Sequence, residues 1–80
     1  MSRARDVVEV VARALASHPD EVDVTEYDRR GQTVVELMMA PGDLGRVIGR
    51  QGRTAAALRT LATTAGEAEG LRVAVDFRDD

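Results

Sequence analysis

The sequence predicts an α+β fold in which a three-stranded sheet has helices packed on one of its faces. Three observations support this prediction. Apolar residues recur at helical spacing near the N-terminus, alternate with polar residues in three short segments, and recur at helical spacing again in the second half. The resulting order is α-β-β-α-α-β, and a chain of 80 residues is long enough for one small domain over residues 1–80.

The first helix is predicted over residues 4–16, where valine, alanine and leucine side chains form one stripe. Pro19 ends this helix, because a proline disfavours helical geometry at the residue before it. That residue is His18, the only histidine of the chain. We interpret it as a helix-end residue near the negative end of the helix dipole, and not as a catalytic base.

A hairpin is predicted next. Residues 22–27 and 32–40 alternate in polarity and are rich in β-forming residues, and residues 28–31 have turn chemistry, so the two strands are expected to pair in antiparallel orientation. On the second strand, Val34 and Met38 lie on the side opposite to the core-facing residues. This pattern predicts an exposed apolar edge.

The second half of the chain is predicted to hold two helices and a strand. Pro41 suits the first turn of a short helix, and Gly49 is able to end it in a left-handed cap conformation. A longer helix follows over residues 53–65, with Leu61 among its inward-facing residues. Residues 71–78 show the clearest alternation of the chain and predict the third strand.

The charge of the chain is unevenly distributed. The net charge of −3 argues against a polyanionic partner, but the segment between residues 44 and 65 holds four of the eleven cationic residues and none of the fourteen acidic ones. Such segregation predicts a basic face on an acidic body. Several arginines outside this segment are interpreted as surface charge without a role: Arg3, Arg5, Arg29 and Arg30.

The junction between the two later helices carries the sequence Gly49-Arg50-Gln51-Gly52, followed by Arg53. Cations at a helix N-terminus oppose the helix dipole, so we interpret them as placed for an anion that arrives from outside. The N–H groups of the helix start would bind a phosphate, and the glycines let a sugar-phosphate backbone approach the main chain closely. The predicted binding residues are Arg46, Ile48, Gly49, Arg50, Gln51, Gly52, Arg53 and Thr54.

The order α-β-β-α-α-β with VIGRQG at the helix junction resembles a type II KH domain, whose signature is [VI]-I-G-x-x-G. Three stretches, SHPDEV, APGDLGRVIGRQGRTAAALRTL and LRVAVDF, resemble the small bacterial single-KH-domain RNA-binding proteins of the KhpA type. The resemblance implies an RNA chaperone or post-transcriptional regulator that binds single-stranded RNA beside a GxxG loop at residues 49–52. The absence of cysteine makes the cytoplasm the expected compartment. It also implies a homodimer, or a heterodimer with a larger KH- and R3H-domain RNA-binding protein. Gly42 departs from the pattern, since an acid that favours helix formation is expected there.

Other function classes find little support in the residues. The chain has no cysteine, and it shows neither paired carboxylates nor a base partner for its serines, so no enzymatic activity, metal, cofactor or small-molecule substrate is expected. No segment is long and apolar enough to span a bilayer, and no signal peptide is expected, which predicts no membrane partner. The alternative left open is a protein–protein interaction module that uses the KH fold as a dimerisation scaffold with little RNA binding. The basic GxxG loop favours RNA.

The sequence also predicts weak binding by a single domain. Only two aromatic residues are present, Tyr27 on the hairpin and Phe77 facing the core, so stacking of bases on aromatic rings is largely absent. Bases are expected to rest on aliphatic side chains such as Val47 or Ile48.

Overall fold

The computed structural model describes residues 2–48 and 52–79, and the chain follows the predicted order α-β-β-α-α-β. The elements are α1 (Arg3–Leu15), β1 (Asp23–Arg29), β2 (Gln32–Met39), α2 (Asp43–Ile48), α3 (Arg53–Glu67) and β3 (Val73–Asp79), with a short 3₁₀ helix at Pro19–Glu21. The predicted helix end at Gly49 and the loop residues Arg50 and Gln51 lie outside the described residues.

The three strands form one mixed sheet in the order β1-β2-β3. β1 and β2 pair in antiparallel orientation, as predicted, and β2 pairs with β3 in parallel. The hairpin closes at Arg30 and Gly31, whose φ angles are 53° and 80°. Two positive φ angles in a two-residue loop are the geometry of a type I′ turn, whose twist matches that of the strands. β1 therefore continues two residues closer to the turn than the sequence predicted, whereas β2 begins at Gln32 as predicted.

Helices cover one face of the sheet, which confirms the predicted architecture. α1 presents a stripe of small and branched residues at four-residue spacing, and α3 packs against both α1 and β3. The buried cluster draws on every layer of the domain: Ala4, Val8, Ala12, Val22, Val24, Val35, Leu37, Met39, Val47, Leu58, Ala62 and Val75.

Three apolar residues lie differently from their predicted positions. Leu15 and Leu61 are 48% and 46% exposed, because Leu15 is the last residue of α1 and Leu61 lies at the margin of the stripe that α3 buries. Val34 is fully buried, so the predicted exposed edge at this residue is wrong. It stands on the central strand, where Tyr27 and Ala74 flank it from both neighbouring strands on the same face.

The C-terminal end of α3 lies two residues beyond the predicted one, so that Gly66 belongs to the helix and not to the following loop. Gly70 adopts φ 74°, the Leu71 N–H donates to the Gly66 carbonyl at 2.8 Å, and the Gly70 N–H donates to the Glu67 carbonyl at 3.0 Å. This is the Schellman arrangement, which satisfies the last carbonyls of a helix and reverses the chain. It delivers the chain from α3 directly into β3. Within residues 2–48 and 52–79, no helix has the length and apolarity needed to cross a membrane.

Candidate nucleic-acid interface

The N-terminus of α3 has the features of an anion site. Gly52 precedes the helix in the left-handed conformation, with φ 70° and ψ 16°, and makes no side-chain cap. The first turn contains no acidic residue; it begins with the exposed Arg53 and continues with the half-buried Thr54. The N–H groups at the start of a helix lack partners within the helix, so this end offers its donors and its positive dipole to an external anion.

Glycine is required at position 52 by the backbone angle. A Cβ built on Gly52 would have no heavy atom within 4 Å, so space does not restrict the residue. The left-handed conformation disfavours any other L-residue by about 1–2 kcal/mol. The chain thus turns sharply into α3 without a side chain between the helix start and the solvent.

α2 forms the other side of the junction, and its residues divide between core and surface. Val47 is 2% exposed and belongs to the core, so the expectation that it supports a base is wrong. Ile48 is half-buried and remains the aliphatic candidate for that role. Arg46 is exposed, and its guanidinium donates a hydrogen bond to the Ser17 hydroxyl. The structure therefore attaches Arg46 to the segment that follows α1.

A buried carboxylate fixes the start of α2. Asp43, 4% exposed, accepts hydrogen bonds from the His18 backbone N–H at 2.9 Å and contacts His18 Nδ1 at 3.2 Å. Burial raises the pKa of Asp43, but the hydrogen bonds and charge of His18, together with a hydrogen bond from the Ser17 backbone, outweigh burial, and the pKa lies below its usual value. His18 therefore lies just beyond the C-terminal end of α1, as predicted, and it also contacts α2. Its spacing of 25 residues from Asp43 gave no sequence signal for the pair.

A second contact that sequence reasoning missed joins α3 to the edge strand β3. The Arg59 guanidinium lies over the Phe77 ring, 4.8 Å from its centroid. Phe77 is half-buried, so it faces the core only in part, and the cation covers part of its ring. Cation–π contacts of this kind contribute about 0.5–1 kcal/mol at exposed sites. The pair places a positive charge where α3 meets the outer edge of the sheet.

The structure therefore gathers Ile48, Gly52, Arg53 and Thr54 at the junction of α2 and α3, with Arg46 on α2 beside them in sequence. Gly49, Arg50 and Gln51 complete the predicted site but lie outside the described residues. In the described part of the chain, no group of three His, Asp or Glu residues is arranged to hold a metal ion.

The sequence of the chain is similar to those of known KH-domain proteins. The sequence profile described as "KhpA/KhpB, KH domain" matches residues 5–77. The chain is 45% identical over 77 residues to the RNA-binding protein KhpA of Aquifex aeolicus, which covers 96% of this chain and 98% of that protein. It is 51% identical over 71 residues to the protein of the same name from Mycobacterium bovis, covering 88% of this chain and 86% of the relative. The KhpA of Leifsonia xyli is 50% identical over 70 residues, covering 88% and 90%.

Proposed function

This chain belongs to the KhpA/KhpB KH-domain family, and we propose that it binds single-stranded RNA by holding the sugar-phosphate backbone at a GxxG loop, residues 49–52, between α2 and α3. The observation that carries the proposal is the start of α3, where a left-handed glycine precedes a helix that has neither a side-chain cap nor an acid in its first turn. Its relatives bear the name RNA-binding protein. KH domains clamp about four nucleotides through the backbone.

Electrostatic attraction supplies much of the expected affinity. Arg50 and Arg53 flank the helix start in sequence, and Arg46 or Arg59 is available as a third cation. Three phosphates neutralised on a single strand give a logarithmic salt slope of about −0.7 × 3, close to −2. Raising the salt concentration from 50 to 200 mM should then weaken binding by roughly 20-fold.

The affinity of one domain for RNA is expected to be low, because few groups can stack on bases. Arg59 already covers part of the Phe77 ring, which leaves Ile48 as the apolar support near the loop. Two domains on one RNA would gain about 10²–10⁴-fold through effective concentration. We therefore infer that the working form is a dimer, either with itself or with a larger KH- and R3H-domain protein. Apolar side chains exposed on the helices support this inference: Val10, Leu15 and Leu61.

We further propose that the protein is cytoplasmic and has no catalytic activity. Near α2, where His18 contacts the Asp43 carboxylate, the hydroxyl of the adjacent Ser17 accepts a hydrogen bond from Arg46. These contacts join two segments of the fold. They support a structural role for the only histidine.

The test replaces Arg50 and Gln51 with Asp together, which places two carboxylates where the phosphate is expected. Loss of a charge-assisted contact costs roughly 1.5–3 kcal/mol, so the affinity for a single-stranded RNA should fall at least about tenfold. The matched control is Arg3→Asp with Ala14→Asp, because it makes the same change in net charge at two exposed positions of α1. RNA titrations should be run on all three proteins after circular dichroism has shown the same helix content.

The two hypotheses of function differ in this experiment. RNA binding at the loop predicts that the control retains most of the wild-type affinity while the loop variant loses it. Equal affinities for the loop variant and its control would contradict the proposal. An affinity for RNA that does not change with salt would favour the protein-interaction module.

A further inference from the structure

Three arginines and a glutamine converge at the end of the sheet that carries the hairpin. We propose that this sheet-end cluster (Arg29, Arg30, Gln32 and Arg72) is a second phosphate-binding site, separate from the GxxG loop, and that it holds a further segment of bound single-stranded RNA. The inference rests on the proposed function, because it assigns an additional contact to the same ligand. From the sequence, Arg29 and Arg30 were interpreted as surface charge.

The strand register brings the cluster together. Arg29 pairs with Gln32 across β1 and β2, and Gln32 neighbours Arg72 on the β3 side, where the Thr33 N–H donates to the Arg72 carbonyl at 2.7 Å. Residues in register across a sheet present their side chains on the same face. The three residues therefore form one row, and Arg30 adjoins it from the turn. An open pocket of about 370 Å³ is lined by these four residues.

In the part of this acidic chain that the structure describes, three arginines elsewhere form ion pairs with carboxylates, and the cations of the cluster do not. Arg5 and Arg13 form ion pairs with Glu9, and Arg78 forms one with Glu36. Arg5, predicted to be surface charge without a role, also donates to the Val24 carbonyl. Within the described residues, the three cluster arginines have no carboxylate partner, although the chain holds fourteen acidic residues. Like charges gathered on one sheet face oppose folding unless an anion offsets them.

The turn residue Arg30 provides an independent indication. Its φ of 53° lies in the left-handed region, and it is the only residue other than glycine with a positive φ in the described part of the chain. Type I′ turns strongly favour Asn or Asp followed by Gly, because those residues tolerate this conformation. An arginine here opposes local preference and adds a third cation to the pocket. Such departures are expected at functional sites.

The position of the cluster makes it a separate site. The parallel strands β2 and β3 both begin at this end of the sheet, and α3 ends there, just before Arg72. The 15 residues of α3 span about 22 Å, so the helix start at Gly52 lies at the other end of the helix. In addition, the row of Arg29, Gln32 and Arg72 faces away from the helices, because its neighbours in sequence, Thr33 and Val73, share the face of the core residue Val35.

Phosphate is the anion that these groups fit best. Guanidinium groups present planar pairs of donors that match phosphate oxygens, and the Gln32 amide adds a neutral donor. The open shape of the pocket suits a flexible strand that passes over it. An acidic protein segment would also match the positive charge of the cluster, but its carboxylates are not spaced like the phosphates of an RNA strand. The experiment below distinguishes the two ligands.

The experiment compares two single-stranded RNAs, one of about four nucleotides, which a KH clamp covers, and one about four times longer. The test variant is Arg29→Gln with Arg72→Gln. The control is Arg3→Gln with Ala14→Glu, which makes the same change in net charge at exposed positions of α1. The test variant should bind the long RNA at least about fivefold more weakly than wild type and bind the short RNA equally well. Two lost phosphate contacts should also make the salt slope for the long RNA shallower by about 1.4.

Each other outcome counts against the inference. If the control loses as much affinity for the long RNA as the test variant, general attraction explains the effect and the second site is wrong. If the test variant binds the long RNA as wild type does, while the short RNA still binds, the second site fails and the proposed function survives. If neither RNA binds wild type, the proposed function itself fails. Displacement of the long RNA from wild type, but not from the test variant, by poly-glutamate of equal charge would assign the cluster to acidic proteins.

Discussion

Replacing the buried carboxylate of Asp43 with an amide tests how the fold holds the first helix of the proposed clamp. Asp43→Asn keeps the size of the side chain but removes its charge, and one of its two oxygens becomes an N–H₂ group. The His18 backbone N–H and ring both contact the same carboxylate oxygen, and the Ser17 backbone adds a further contact. An amide oxygen can still accept from His18, but it carries no charge, and the N–H₂ group that replaces the second oxygen accepts nothing.

The magnitude follows from the loss of the charge that strengthens these hydrogen bonds. Hydrogen bonds to charged groups contribute roughly 1.5–3 kcal/mol, so Asp43→Asn should lower the free energy of unfolding by about 2 kcal/mol at pH 7. A domain of this size has roughly 4–12 kcal/mol in total. The loss should lower the melting temperature by roughly 8–16 °C. His18→Ala is the matched control: its ring is 60% exposed and its backbone N–H is retained, so it should cost less than about 1 kcal/mol.

The loss should depend on pH in a defined direction. Because the pKa of Asp43 in the folded state lies below its ordinary value of 3.8, the unfolded chain takes up the proton first as pH falls. The stabilisation is therefore fully present above pH 3.8 and is lost as pH falls through the lower, folded-state pKa. Glu26, whose pKa is lowered by the Ser2 hydroxyl, retains its own contribution in the variant.

Urea denaturation of wild type and Asp43→Asn at pH 7 and pH 3 measures both quantities. The difference in unfolding free energy between the two proteins should be smaller at pH 3. A difference that stays constant between the two pH values would refute the assignment of the carboxylate as the charged anchor of α2. A negligible difference at both pH values would show that the contact contributes nothing to stability.

Two further predictions concern packing and assembly. Gly66→Ala should destabilise the protein by about 1–3 kcal/mol in urea denaturation, because the added Cβ would collide with Cγ2 of Val73. Gly45→Ala is the control: no heavy atom lies within 4 Å of its added Cβ, so this substitution should be neutral or stabilising. Equal effects of the two substitutions would show that the close approach of α3 to β3 is unimportant. Sedimentation should show a mass near twice 8.6 kDa for the protein alone at tens of micromolar, or the summed mass of both chains when a larger KH-domain partner protein is added. A monomer under all these conditions would contradict the dimer.

The order of the elements was predictable because it depends on local patterns. Helical and alternating periodicities mark every segment, and the GxxG sequence marks the α2–α3 junction directly. Side-chain burial was harder to predict. Val34 stands on the polar-looking side of its strand, and its full burial results from pairing with β1 on one side and β3 on the other. Strand pairing between distant segments is not encoded in the alternation of one segment, so neither its burial nor the parallel pairing of β3 was foreseen.

The same reason explains which parts of the candidate sites were missed. The helix start at Gly52 could be recognised from adjacent residues, but the contact of Arg59 with Phe77 joins a helix to a strand 18 positions further along the chain. The row formed by Arg29, Gln32 and Arg72 likewise depends on the register of three strands. From the sequence, arginines that pair with carboxylates and arginines that stay unpaired look alike.

The uneven pairing of charge explains how an acidic chain can hold a polyanion. At physiological ionic strength the Debye length is about 8 Å, so exposed charges further apart than this interact only weakly. The two ends of α3 lie about 22 Å apart, nearly three such lengths. The acids paired with Arg5, Arg13 and Arg78 are neutralised locally, and a phosphate at either proposed site meets chiefly the cations beside it. The negative net charge thus opposes only RNA that approaches over the acidic surface. RNA that approaches the ends of α3 is favoured.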